Sequence, residues 1–415
     1  ETETEEITMS PRRLCQSTKL ENVTYDIRGP VLDRANDLES QGTKILKLNI
    51  GNPGKFGFLA LRNVTDYMGE TLDAAVGYSD SHGTVQARQA IINRYAAIPG
   101  FPTIDINSVY TGNGASELIT MALQALCDPG DEVLIPAPDY PLWTASTAFA
   151  GGTPVHYLLD EDNDWNPSLE DIEAKITDRT KAIVIIDPNN PTGAVFSKEI
   201  LEGIADIARR HDLLIFSDEI YDLILYTDAP HYSIAALAPD LLVFTFNGLS
   251  KGYRSCGYRA GWVVITGPKD HAKDYLAGFH LLASMRLCSN VPGQYAIVAA
   301  LEGKQDIQLL TTSGGRLYEQ RQTTVDTLNA IPGVSVMPPK GSLYAFPRFD
   351  PDLYPIADDE KFALSLLENE HILMTQGTAF NYPTPDHMRI VMLPEVPVLK
   401  EAIERLGNFL STYRG

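Results

Sequence analysis

Phe244-Thr-Phe-Asn-Gly-Leu-Ser250-Lys251-Gly-Tyr-Arg-Ser-Cys-Gly-Tyr-Arg259-Ala-Gly-Trp262 is an apolar run that breaks into a glycine-containing loop and then turns apolar again. The segment Leu241–Asn247 carries no charge and is dense in large apolar side chains, which reads as a buried strand. The loop after it holds a hydroxyl, a primary amine and a guanidinium in Ser250, Lys251 and Arg259. A sheet covered by helices places its ligands beyond the carboxyl ends of its strands. A hydroxyl next to a fork-shaped cation there suits a phosphate. Lys251 alone would read as a solvated surface residue; its neighbours point to a ligand.

Three further stretches repeat the arrangement. Asp187-Pro-Asn189-Asn190-Pro191-Thr192-Gly193 follows the apolar run from Lys181, and by itself would pass for a turn. Ile215-Phe-Ser217-Asp218-Glu219-Ile-Tyr221 brings an acid out of another apolar run, where a helix N-cap is the plain alternative. Thr111-Gly-Asn-Gly114-Ala115-Ser116-Glu117 joins a strand to a helix, and a helix start offers backbone N–H groups and a dipole to an anion. Each stretch falls at a strand's carboxyl end, so together they are expected on one rim of one sheet.

The surrounding pattern supplies that sheet. Strands are predicted at Val109–Thr111, Glu132–Ile135, Pro154–Leu159, Lys181–Asp187, Leu213–Asp218, Leu241–Asn247 and Gly261–Thr266. Between them, Ala115–Leu126 places Leu118, Ile119, Ala122, Leu123 and Leu126 on one face, and Lys198–Arg210 places Ile200, Leu201, Ile204, Ile207 and Ala208 likewise. Alternating apolar runs and amphipathic helices predict an α/β fold with a mostly parallel, seven-stranded sheet covered by helices. The C-terminal third changes character. A polar helix is expected over Ser313–Ile331, short strands at Val334–Met337, Leu343–Pro347, Ile372–Thr375 and Met388–Val391, and helices at Asp359–Asn369 and Leu399–Thr412. This predicts a smaller α+β domain. The expected division is a tail over 1–10, a large domain over 53–307, and a small domain built from 11–52 with 308–415.

Composition narrows the function classes. The 415 residues carry a formal charge of −21, which opposes phosphate backbones and anionic membrane, so neither nucleic acid nor membrane is an expected partner. No apolar run approaches the length of a membrane span. The four cysteines, at 15, 127, 256 and 288, form no close pair, which fits a reducing, cytoplasmic compartment. The eight histidines show no metal-ligand spacing, and no metal site is expected.

Taken jointly, Asn190-Pro-Thr-Gly, Ser217-Asp218-Glu-Ile-Tyr221 and Ser250-Lys251 with Arg259 resemble the fold-type-I pyridoxal-phosphate aminotransferases of the aspartate aminotransferase superfamily. The resemblance runs from about Arg12 to Tyr413. Within the superfamily, Gln16-Ser-Thr-Lys-Leu20, Tyr25-Asp-Ile-Arg-Gly-Pro30, Leu48-Asn-Ile-Gly51-Asn-Pro53, Pro138-Asp-Tyr140-Pro-Leu-Trp143 and Met285-Arg286-Leu-Cys288 look most like the bacterial alanine aminotransferases. The resemblance implies that Lys251 is the catalytic lysine joined to the cofactor aldehyde. It implies Asp218 at the pyridine nitrogen, Tyr221 and Asn190 at the phenolic oxygen, Tyr140 on the ring face, and Ala115, Ser116, Ser250 and Arg259 around the phosphate. Arg389, in His387-Met-Arg389-Ile-Val391, matches the arginine that grips the substrate carboxylate; Gly51 matches a backbone that closes over substrate, and Tyr25 lines the substrate side. Tyr78 resembles the tyrosine that reaches the neighbouring subunit's phosphate, which implies a homodimer with shared sites. Arg286 has no clear counterpart. Three positions depart from the family pattern: Lys55, Asp187 in place of an asparagine, and Gly252 in place of an alanine.

The expected reaction is amino transfer from L-alanine to 2-oxoglutarate, giving pyruvate and L-glutamate in a two-stage cycle. The alternatives are an aminotransferase for aspartate, aromatic or branched-chain amino acids, or a β-lyase or cyclising synthase on the same cofactor. A more distant one is a non-catalytic aminotransferase-like ligand-binding domain of a transcription regulator. That reading needs a basic helix-turn-helix module ahead of it, whereas few residues precede the first strand-like segment and the chain is acidic.

Overall fold

The structure is a computed structural model that describes residues 12–228 and 230–415. The tail expected over 1–10 lies outside the described residues. The main sheet is built from β1 (Val109–Asn113), β2 (Glu132–Ala137), β3 (Thr153–Asp160), β4 (Asn166–Pro167), β5 (Thr180–Ile186), β6 (Leu214–Asp218), β7 (Val243–Gly248) and β8 (Ala260–Thr266). Their order is β1-β8-β7-β6-β5-β2-β3-β4. The five central strands, from β7 to β3, pair in parallel, while β8 runs antiparallel to both its neighbours. All seven predicted strands are present. The sheet has an eighth because Asn166–Pro167 pairs with the end of β3, Leu159 opposite Pro167. Two residues give no periodicity to read, and proline is tolerated on an edge strand.

Both faces of the sheet are buried, and the parity of each strand decides which side chain faces which helix. Val184, Ile186, Phe216, Phe244 and Phe246 pack on one side against Leu118, Ile119 and Leu123 of helix Ala115–Leu126 and Phe279 of helix Lys273–Met285. Ile183, Ile185, Ile215 and Val243 pack on the other against Leu201, Ile204 and Ala208 of helix Lys198–His211. That helix is capped by Ser197, whose Oγ accepts from Ile200 N, and ends at Asp212 in the left-handed region. Truncating a fully buried phenylalanine such as Phe216 to alanine is expected to cost about 3–5 kcal/mol. It would also loosen Trp143, whose ring centroid lies 5.7 Å away.

A second core gathers Val31, Ala35, Ile45 and Leu48 with Leu317, Leu328, Phe349, Phe362, Ile372, Ile390, Leu399 and Leu406. Backbone pairing joins the same segments: Leu46 lies opposite Ile372 in a parallel bridge. A three-stranded sheet places Met388–Val391 between Tyr344–Ala345 and Thr375–Gln376, with Arg389 in its central strand. The run expected as one strand over Ile372–Thr375 is divided at Met374, so that Ile372–Leu373 and Thr375–Gln376 pair with different partners. The last helix begins at Val396, three residues earlier than predicted, with Pro397 in its first turn, where its missing N–H costs nothing.

Candidate active site

The rim at the carboxyl ends of β2, β5, β6 and β7 opens into a cavity of about 620 Å³. Twelve of the thirteen residues singled out from the sequence line it: Tyr25, Gly51, Ala115, Ser116, Tyr140, Asn190, Asp218, Tyr221, Ser250, Lys251, Arg259 and Arg389. The thirteenth, Tyr78, does not; it is 83% exposed on the outside of the chain.

Strand geometry explains the placement. Asp218 is the last residue of β6 and has the parity of Phe216, so it points to the side where Trp143 is packed. Trp143 Nε1–H donates to Asp218 Oδ2 at 3.0 Å, and Ile220 N–H donates to Oδ1 at 3.3 Å. Burial pushes the Asp218 carboxyl up to about 6, against the pull of those two donors and of Lys251. Two neutral donors do not offset the loss of water around a buried charge, so the site calls for a cation at Asp218.

Lys251 stands three residues past β7. Its Nζ donates to the carbonyl of Gly51 at 2.7 Å and lies 5.8 Å from the centre of the Tyr221 ring. Gly51 has no room for a side chain: a Cβ there would overlap the Tyr344 hydroxyl and lie 2.9 Å from its Cζ.

The anion seat lies at the other end. Gly114, at φ +78°, turns the chain from β1 into helix Ala115–Leu126. A Cβ at Gly114 would sit 2.7 Å from Arg259 Cζ, so the glycine lets the guanidinium reach the helix N-terminus. Arg259 Nη1 donates to Cys256 O at 2.8 Å and lies 3.5 Å from Ser250 Oγ. The first amides of a three-turn helix, two hydroxyls and a guanidinium therefore converge at one place.

Arg389 is 4% exposed, with its guanidinium between the rings of Tyr344 (4.2 Å) and Phe380 (4.5 Å). Nη1 donates to Asn190 Oδ1 at 3.0 Å, Nη2 donates to the carbonyl of Asn49, and buried Nε has no partner among the described residues. On the same side Tyr25 and Tyr140 share a hydroxyl–hydroxyl bond of 3.1 Å. Burial, reinforced by Tyr140, holds the Tyr25 phenol well above its ordinary range.

Sequence reasoning missed several participants. Tyr344 OH lies 2.8 Å from Tyr221 OH, and Arg28 and Cys256 also line the cavity. Trp143 lay in a motif quoted for its resemblance, and its place three residues after Tyr140 at a helix start was the available signal. Arg286 is no part of the cavity lining. It clamps Glu117 Oε2 at 2.6 Å and the Thr111 carbonyl at 2.7 Å, a structural role at the base of the anion seat. Asp187, the departure from asparagine, is buried, accepts from Phe196 N and has Oδ2 3.4 Å from His231 Nε2.

The chain matches the family model for aminotransferase class I and II over residues 43–406. It is 60% identical to the alanine aminotransferase of Mycobacterium tuberculosis, covering 97% of this chain and 94% of that protein. It is 56% identical to the glutamate-pyruvate aminotransferase AlaA of Escherichia coli K12, covering 98% and 99%. The crystal structure of an aminotransferase from Escherichia coli superposes with a TM-score of 0.96 at 55% identity, over 97% of this chain and all of that one. With the motif residues drawn to one rim and a match of this extent, the chain belongs to the class I and II aminotransferases.

Proposed function

We propose that this chain transfers the amino group of L-alanine to 2-oxoglutarate, yielding pyruvate and L-glutamate, with pyridoxal phosphate as cofactor. The observation that carries the cofactor is the one-sided environment of Asp218, a buried carboxylate raised to about 6 and facing the same cavity as a primary amine and an anion seat. The extent and level of identity to alanine and glutamate-pyruvate aminotransferases support the choice of substrates.

The residues present fit the group. Ala115 N, Ser116, Ser250 and Arg259 would hold its phosphate, Asp218 its ring nitrogen, and Asn190 with Tyr221 its phenolic oxygen, while Tyr140 would cover one face. When bound, pyridoxal phosphate supplies an aldehyde for the amino group and a ring that accepts the electron pair left at the substrate Cα. Arg389 binds the substrate carboxylate through its fork and so fixes which bond at Cα stands across the ring. Lys251 Nζ would hold the cofactor aldehyde in the resting protein, and as a free amine it would take the proton from the substrate Cα and deliver it to the cofactor carbon within the same half-reaction, the reverse transfer following in the second. The Asn49–Asn52 backbone, already touching both Arg389 and Lys251, forms the wall that excludes water. Glutamate needs a grip for its second carboxylate, and Arg28 is the cavity cation with no other task in this scheme.

We also propose a cytosolic homodimer in which Tyr78 completes the partner's phosphate seat. Leu72, Val76, Tyr78, Leu281, Met285 and Leu287 are exposed. The Ser81–Leu287 bond of 2.8 Å brings the segments that carry Tyr78 and Leu287 together, giving an apolar face of the kind that marks association. Among the described residues no helix is long and apolar enough to cross a membrane. The division into a large domain over 53–307 and a small one from 11–52 with 308–415 is likewise our reading, supported by the shared core of Val31–Leu48 and the C-terminal elements.

The test is a half-reaction panel. The purified holoenzyme is mixed with single amino acids while the cofactor's absorbance is followed, with Lys251→Ala as the control. Alanine and glutamate are expected to convert the absorbance rapidly and aspartate and aromatic donors slowly; Lys251→Ala converts with none. Faster conversion by aspartate or an aromatic donor would overturn the substrate assignment. A Lys251→Ala variant that turns over would overturn the site.

A further inference from the structure

We propose that Tyr344 is a positioning residue for the cofactor: its hydroxyl donates to Tyr221, leaving Tyr221 its own proton to give to the cofactor's phenolic oxygen. The inference rests on the pyridoxal phosphate reading above.

A phenol has one proton to donate and can accept two. The Tyr221 and Tyr344 oxygens are 2.8 Å apart, so one of them donates to the other. If Tyr221 were the donor, its only proton would be spent away from the ring it is to serve. The cation packed on Tyr344 favours the opposite direction. Both phenols are buried, 3% and 2% exposed, and burial alone raises both. Tyr221 is held well above its ordinary range by burial and by Tyr344. For Tyr344, burial is outweighed by Lys251, Arg389 and the hydrogen bond with Tyr221 itself, which together bring it below that range. The proton order that leaves Tyr221 free to serve the ring therefore runs from Tyr344 to Tyr221 and from Tyr221 to the ring, and the Arg389 guanidinium 4.2 Å from the centre of the Tyr344 ring favours it by drawing charge toward that phenol. Bonds aligned in this way polarise one another, and Tyr221 becomes a stronger donor than it would be alone.

Tyr344 is held in place for this task. Its backbone pairs with Val391 in the strand that carries Arg389, its face lies 4.2 Å from the Arg389 guanidinium carbon, and its ring meets that of Tyr221 edge-on at 5.8 Å and 78°. It thereby ties the carboxylate grip to the tyrosine at the ring.

The test follows holoenzyme absorbance against pH in the wild type, Tyr344→Phe, Tyr221→Phe and the double variant. Phenylalanine keeps the ring against Arg389 and removes the hydroxyl alone. The bond from Tyr221 favours the negative form of the cofactor oxygen, so weakening it should raise the pH midpoint. A rise of about 0.4–1 unit is expected for Tyr344→Phe, the size of one neutral hydrogen bond, with a larger rise for Tyr221→Phe. In the Tyr221→Phe background, Tyr344→Phe should add nothing, which a general loosening of the site would not produce. An unmoved midpoint in Tyr344→Phe, or the same shift with Tyr221 already removed, overturns the inference alone. A wild-type protein that acquires no pH-dependent absorbance from pyridoxal phosphate overturns the cofactor reading, and this inference with it.

Discussion

Asp218→Asn should stabilise the cofactor-free protein in alkaline solution while weakening its hold on the cofactor. The folded chain raises this carboxyl from 3.8 to about 6, chiefly by burial. Between those values the folded protein keeps a proton that the unfolded chain has lost, so stability falls as pH rises through the window. The whole shift is worth about 3 kcal/mol, of which about 1.4 kcal/mol is lost between pH 5 and pH 8. Asparagine never pays that penalty, and its amide oxygen can still accept from Trp143 or Ile220. Asp139, Asp187 and Glu219 are also buried with raised carboxyls, so total stability against pH would not isolate Asp218. The difference between wild type and variant does, because the other groups cancel. Urea unfolding of both cofactor-free proteins at pH 5, 6.5 and 8 should show the variant's relative stability rising by about 1.4 kcal/mol. Saturating pyridoxal phosphate should then raise the wild type far more than the variant, since only the form that binds is stabilised. A difference that stays flat from pH 5 to pH 8 would refute the argument that an uncompensated charge waits there for a cation.

The remaining expectations concern the cavity walls. Gly51→Ala forces a Cβ against the Tyr344 hydroxyl; overpacking of about 1–3 kcal/mol should lower kcat/KM by about 5- to 150-fold, and Tyr344→Phe should recover part of the loss in steady-state assays. Arg389→Lys loses the fork but keeps the charge, so kcat/KM for every amino acid should fall by about 10- to 100-fold, measured against an unchanged urea midpoint. Arg28→Ala should raise KM for glutamate and 2-oxoglutarate while leaving that for alanine near its wild-type value. If Tyr78 completes a partner's phosphate seat as proposed, Tyr78→Phe should weaken cofactor retention on dialysis without changing the protein's sedimentation.

What the sequence made legible and what it hid have one physical origin. A strand's end is a local event: an apolar run stops, a turn begins, and whatever polar residue follows stands on the rim. Lys251, Asp218, Asn190 and Ala115 could therefore be placed one motif at a time. The contacts that make them a site are not local. Trp143 reaches Asp218, Tyr344 reaches Tyr221 and Arg389 reaches Asn190 across 75, 123 and 199 positions, and no periodicity records which side chains will meet when the C-terminal sheet closes over the rim. Asp187 shows the same division within a single residue. Its departure from asparagine was visible, and as an isolated buried acid it would argue against the family pattern. The compensation lies in His231, which burial would neutralise but which Asp187, Glu219 and Asp222 draw above its ordinary range. The pair sets a cation against the acid at the start of the Asp187–Asn190 turn, and Asn190 keeps its place in the cavity lining. A departure from a motif is thus weighed correctly only once the structure shows what faces it.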